Sequence, residues 1–206
     1  MSDTTLNTLA VPGWYGKLPH LGDFASRRLP DSFVRRWDRW LQRGLASARS
    51  QLGERWLDAY LVAPILRFWV GPGVLGERGW AGLMMPSVDR VGRHFPLTIA
   101  QPAVPLAAAM AGQGWFRALD AVARQALDVD FSVDDLEQAL GAVPAVDPLA
   151  GDEAAEQLAE RALRRCNAPV PCSLWWCGDA ADAAEFRCFT ALPPAAAFAS
   201  LMGGLA

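Results

Sequence analysis

Two histidines, His20 and His94, and one lysine, Lys17, are all that 206 residues contain of those two types. So few imidazoles leave no histidine cluster to hold a metal. The four cysteines, Cys166, Cys172, Cys177 and Cys188, have five, four and ten residues between them, which fits no common zinc spacing. No Gly-x-Ser-x-Gly elbow is present, no Gly-x-x-x-x-Gly-Lys-Ser/Thr loop cradles a phosphate, and no Gly-x-Gly-x-x-Gly opens a helix. No run of about 18 apolar residues occurs, so membrane insertion is not expected. Residues 1–10 lack the basic start and apolar block of a secretion signal. A cytoplasmic chain with four reduced thiols, no metal and no cofactor is the expectation.

Charge of one sign is also missing as an overall excess. The net charge is −3. Residues 1–100 carry 13 Lys and Arg against 8 Asp and Glu, or +5, whereas residues 101–206 carry 6 against 14, or −8. Nearly all of the positive charge is arginine. Nucleic-acid binders usually show a domain-wide basic excess or a reading motif, and neither is seen. What the chain has in quantity is apolar and aromatic mass: 52% hydrophobic residues and nine tryptophans, enough for a real core.

The apolar spacing organises that mass. Trp14 to Leu18 reads as a short strand, broken by Pro19 and Gly22. Asp31 or Ser32 can cap a helix whose Phe33, Val34, Trp37, Trp40, Leu41, Leu45 and Ala48 recur every three or four residues. Arg35, Arg36, Arg39 and Arg43 fall on its other side, as a solvated face or as a docking surface for an acidic partner. A shorter helix through Trp56 and Tyr60 follows a break at Gly53. Ile65–Val70, Trp80–Met85 and Phe95–Ala100 read as strands of an antiparallel meander, since no helix-sized crossover separates them. Helices follow from Pro105, from Ser132 with Asp135 completing a capping box, and from Glu153 to Arg165. Residues 142–152 form a proline-containing loop. Pro171–Cys177 and Phe186–Thr190 make a closing hairpin around Gly178-Asp179, and residues 195–202 a last short helix. The expected fold is α+β, layered α/β/α, with one mixed but mainly antiparallel sheet flanked by helices. A single domain over residues 1–206 is expected, with residues 1–12 as a flexible leader.

Two polar stretches interrupt this apolar pattern. One is Lys17 to Phe24, holding Lys17, His20 and Asp23. The other is the elbow Ser87-Val88-Asp89-Arg90-Val91-Gly92-Arg93, set between two apolar runs. A buried charge must be paired or neutralised, so Asp89 is expected to pair with Arg90 or Arg93, and Lys17 with Asp23. The pairs either hold the loops or, if both loops share one sheet edge, line a polar cleft. Lys17, Asp23, Ser87, Asp89, Arg90 and Arg93 are thus the candidates for binding a partner or ligand. No residue is placed to activate a nucleophile or carry a proton, so no catalytic residue is assigned.

Gly13-Trp14-Tyr15-Gly16-Lys17-Leu18-Pro19 with Gly22-Asp23-Phe24 resembles the opening signature of the TagF (ImpM) family, accessory proteins of bacterial type VI secretion systems. The resemblance continues through Phe33, Trp37-Asp38, Trp40-Leu41, Trp56, Tyr60-Leu61, Pro64, Arg67-Phe68, Gly82, Pro86 to Arg93 and Phe95-Pro96-Leu97. It is looser over Ser173 to Trp176 and Leu192-Pro193. It implies a non-enzymatic, cytoplasmic, post-translational repressor that binds a component of the secretion machinery, such as the Fha scaffold. Some relatives carry a fused phosphatase domain, and that activity is not carried over. The alternative reading is a small-molecule or phospho-ligand module, because paired arginines at Arg90 and Arg93 suit phosphate.

Overall fold

Trp80 to Met85 is apolar at every position because both faces of its strand are covered, and the whole architecture follows from that. A computed structural model describes residues 11–146, 151–166, 171–179 and 186–203. The chain runs β1 (Gly13–Gly16), β2 (Ala25–Arg27), α1 (Asp31–Leu52), α2 (Trp56–Leu61), β3 (Leu66–Val70), β4 (Trp80–Met85) and β5 (Leu97–Pro102). Then come α3 (Leu106–Ala111), α4 (Gln113–Gln125), α5 (Val133–Ala142), α6 (Glu153–Cys166), β6 (Ser173–Cys177), β7 (Arg187–Phe189) and α7 (Phe198–Met202). The leader expected at residues 1–12 falls almost wholly outside the described residues. So do part of the 142–152 loop and the connection after Asp179.

The strands form one sheet of seven in the order β2-β1-β5-β4-β3-β6-β7, and every pairing is antiparallel. The chain is therefore α+β, with helices on both faces. Alternate residues along each strand point to opposite sides. Trp14, Trp69, Leu83, Ile99 and Trp176 face the layer built by α3 to α6. Tyr15, Phe68, Trp80, Met84 and Trp175 face α1 and α7. The indole N–H groups of Trp37, Trp40 and Trp69 donate to Thr98 Oγ1, the Pro193 carbonyl and the Val104 carbonyl at 2.8, 2.8 and 2.9 Å. The indole N–H groups of Trp56, Trp115 and Trp176 are buried without a hydrogen-bond partner among the described residues, so the aromatic core is only partly satisfied.

Three details differ from the sequence reading. The helix α1 begins one or two residues early: Pro30 is its N-cap, with φ preset at −69°, and no side chain caps it. Asp31 instead lies 3.7 Å from Arg35 on the exposed side. Residues 25–27 form an edge strand, too short and too exposed to show alternation. Cys188 is disulfide-bonded and not reduced, a bond that cysteine spacing alone does not reveal. Cys172 keeps its thiol, which burial pushes up from the ordinary value.

Gly44, in the middle of α1, is where α7 docks. A Cβ there would sit 2.3 Å from the Phe198 ring. Alanine would gain about 1 kcal/mol of helix propensity, but overpacking costs about 1–3 kcal/mol. Gly44→Ala is expected to lower the melting temperature and speed amide exchange over residues 198–202. Unchanged exchange there would refute the packing account.

Candidate binding surface at one end of the sheet

Strand β1 enters the sheet beside β5, with Tyr15 opposite Thr98, so Gly16 lies against Pro96 and Leu97. That one pairing puts the loop leaving β1 and the loop joining β4 to β5 at the same end. The Lys17 Nζ donates to Asp89 Oδ2 at 2.7 Å, and both side chains are essentially out of solvent. The Ser87 hydroxyl donates to the Lys17 carbonyl at 2.7 Å, and the Arg90 amide to the Leu21 carbonyl at 2.9 Å. The Arg93 guanidinium donates to the Gly22 carbonyl. Tyr60, on α2, braces the elbow by accepting from the Ser87 amide and donating to its carbonyl.

Asp89 is the hub. Its Oδ1 accepts from the Val91 and Arg93 amides at 3.1 and 2.8 Å, and Oδ2 also accepts Arg93 Nε at 2.7 Å. Burial alone would raise its pKa; Lys17, the Arg93 amide and guanidinium and the Val91 amide outweigh it and hold the carboxyl well below the usual range. Gly92, at φ 82°, makes the tight turn that aims those amides inward. A carboxylate so fully occupied is a fastener and not a proton carrier.

The expected Asp89–Arg93 pair is present. The expected Lys17–Asp23 pair is not: Lys17 is drawn under the elbow to Asp89, while exposed Asp23 accepts the Phe24 amide at 2.8 Å. Of the six candidates, Lys17, Ser87 and Asp89 are buried, and Asp23, Arg90 and Arg93 face solvent. Phe24 lies over the junction, stacked on Tyr15 at 5.8 Å and edge-on to Phe95 at 4.8 Å, with Lys17 Nζ 4.9 Å from its ring centre.

The sequence reading overlooked an apolar rim around this junction. The large apolar side chains exposed among the described residues are Phe24, Leu57, Leu61, Val62, Val91, Leu127 and Val129. Phe24 and Val91 lie on the two loops, and Leu61 and Val62, at the end of α2, meet Leu127, just after α4, beside Met85 and Pro86. Leu61, Val62, Pro64, Met85, Pro86, Arg124 and Leu127 line a cleft of about 320 Å³. Val62 is 81% and Val91 65% exposed, values that single scattered residues would not call attention to. The available signal was apolar residues in segments read as loops or helix ends.

A second buried charge lies on the α4 side of the sheet. Arg67 donates to Gln113 Oε1, Asp179 Oδ1 and Asp120 Oδ2 at 3.0, 2.8 and 2.9 Å, and Arg117 holds Asp179 at 2.5 Å. Arg67 keeps the Asp179 carboxyl below its ordinary range. These carboxylates tie β3, α4 and the end of β6 together. Among the described residues no group of three or more His, Cys, Asp or Glu could hold a metal, and no helix is long and apolar enough to cross a membrane.

A family model described as the TagF N-terminal domain, type VI secretion system-associated, matches residues 13–143. That span contains both loops of the junction. Among solved structures, PA0076 from Pseudomonas aeruginosa PAO1 has 39% sequence identity and a TM-score of 0.76, over 93% of each chain. No curated protein matches the chain.

Proposed function

Because this chain belongs to the TagF N-terminal domain family associated with type VI secretion, we propose that it is a non-enzymatic repressor acting after translation. It works in the cytoplasm by holding a component of the machinery, an Fha-type scaffold, against the sheet-end surface. One observation carries the reading: a buried Lys17–Asp89 pair fastens two loops beneath a rim of exposed apolar side chains flanked by Arg90 and Arg93. Arginine and large apolar groups around a fixed backbone are what protein interfaces use as anchors. On this reading residues 1–206 act as one TagF-like domain, supported by a sheet that takes strands from both halves of the chain.

A phospho-ligand module at the elbow has less support. The Arg93 guanidinium already donates through Nε to Asp89 and through Nη2 to Gly22, so it cannot offer an anion its full two-point fork beside Arg90.

The test is secretion from type VI-positive cells that overproduce the chain. Wild type should suppress release of a secreted substrate. The exposed-rim variant Leu61→Asp/Val62→Asp/Val91→Asp should restore it while melting within about 3 °C of wild type, as surface changes do. Full repression by the variant, or unchanged secretion with wild type, would refute the proposal.

A further inference from the structure

The helix α1 presents to solvent a face that neither the fold nor the sheet-end surface uses. Its apolar side, Phe33, Trp37, Trp40, Leu41 and Leu45, is buried on the sheet. Arg36, Arg39 and Arg43 lie on the exposed side at spacings of three and four, so they form one row about 10 Å long. None of the three makes an ion pair among the described residues. The helix's own acids do not neutralise them. Asp31 lies 3.7 Å from Arg35, and Asp38 is turned to Tyr15 Oη and Gln42 Nε2 at 2.6 and 2.7 Å. Like charges three and four residues apart repel along a helix. The row is therefore a standing cost to the isolated chain that an opposite charge from outside would relieve.

We propose that the Arg36–Arg39–Arg43 row docks an acidic protein segment, a helix or strand presenting several Asp or Glu carboxylates. Charge complementarity sets the sign of the partner, and the guanidinium fork sets its chemistry, since it grips carboxylates in two-point bonds. The same face argues against a bilayer: its exposed positions are Arg, Ser, Gln, Ala and the single acid Asp31, so no large apolar side chain is left to enter lipid. It argues against nucleic acid too, because no exposed aromatic is interleaved with the arginines and the whole chain is net negative. The proposal is independent of the sheet-end reading.

The probe is a dye-labelled, glutamate-rich helical peptide of about 20 residues, followed by fluorescence anisotropy at low salt. Arg36→Ala/Arg39→Ala/Arg43→Ala should bind it at least tenfold more weakly than wild type while melting normally, alanine being the best helix former. The triple lysine variant, with equal charge but no fork, should fall between the two. The sheet-end variant Leu61→Asp/Val62→Asp/Val91→Asp should bind the peptide as wild type does, which separates this idea from the repressor reading. Wild-type affinity in the alanine variant overturns the proposal. So does tighter, row-dependent binding to phosphatidylserine vesicles or to a DNA duplex than to the peptide.

Discussion

Replacing Asp89 with alanine should lower the melting temperature by roughly 10 °C, the largest effect of any single side-chain truncation in the junction. The carboxylate is wholly buried, and its loss leaves the Lys17 ammonium, 5% exposed, without a counter-charge. Two elbow amides and the Arg93 guanidinium lose their acceptor as well. Removing one member of a buried pair costs far more than the pair itself contributes, whereas replacing both with apolar groups is often nearly neutral. Lys17→Met/Asp89→Leu should therefore recover much of the loss, and a double variant no better than Asp89→Ala would contradict the pairing. Acid gives the same contrast. The folded Asp89 pKa lies below the unfolded value of about 3.9. Its stabilisation is thus fully present above that pH and is lost as the pH falls towards the folded value. Wild type should lose stability more steeply than Asp89→Ala as the pH drops below about 4.

Gly16→Ala should prevent folding or lower the melting temperature by more than about 10 °C. Gly16 has φ +145°, and a Cβ there would lie 2.2 Å from the Pro96 carbonyl oxygen and 2.9 Å from Leu97 Cα. Neither atom belongs to a side chain that could swing away. The strand β1 would have to separate from β5, taking Lys17 away from Asp89. Gly53→Ala is the control: its φ is +54°, yet nothing lies within 4 Å of the added carbon. That substitution carries backbone strain alone, about 1–3 kcal/mol at φ 54° and ψ −126°, or several degrees in a chain of this size. Similar melting temperatures for the two variants would show that close approach of β1 to β5 does not matter.

The layers of the fold were legible because they are periodic. The α1 face from Phe33 to Ala48 repeats every three or four residues, and β3 to β5 are apolar runs between glycines and prolines. The Ser132–Asp135 capping box was legible too, since its partners are three residues apart. What local pattern could not carry was the pairing of β1 with β5. Lys17 and Asp89 are 72 residues apart, and only sheet order makes them neighbours. Asp23, six residues from Lys17, was the plausible partner on sequence alone. The strand β2 escaped notice for a different reason: three half-exposed residues at an edge need no alternation. The apolar rim was hidden because Leu61, Val62, Val91 and Leu127 come from three separate segments, each unremarkable alone.

The most direct test of the sheet-end surface is photocrosslinking from one genuinely exposed position at each end of the sheet. A photoreactive phenylalanine analogue would replace Val91 on the elbow or Glu77 on the loop between β3 and β4 at the far end. In type VI-positive cells, position 91 should crosslink to a component of the secretion machinery, and position 77 should give no such product. Crosslinking from position 77 with none from position 91 would contradict the account.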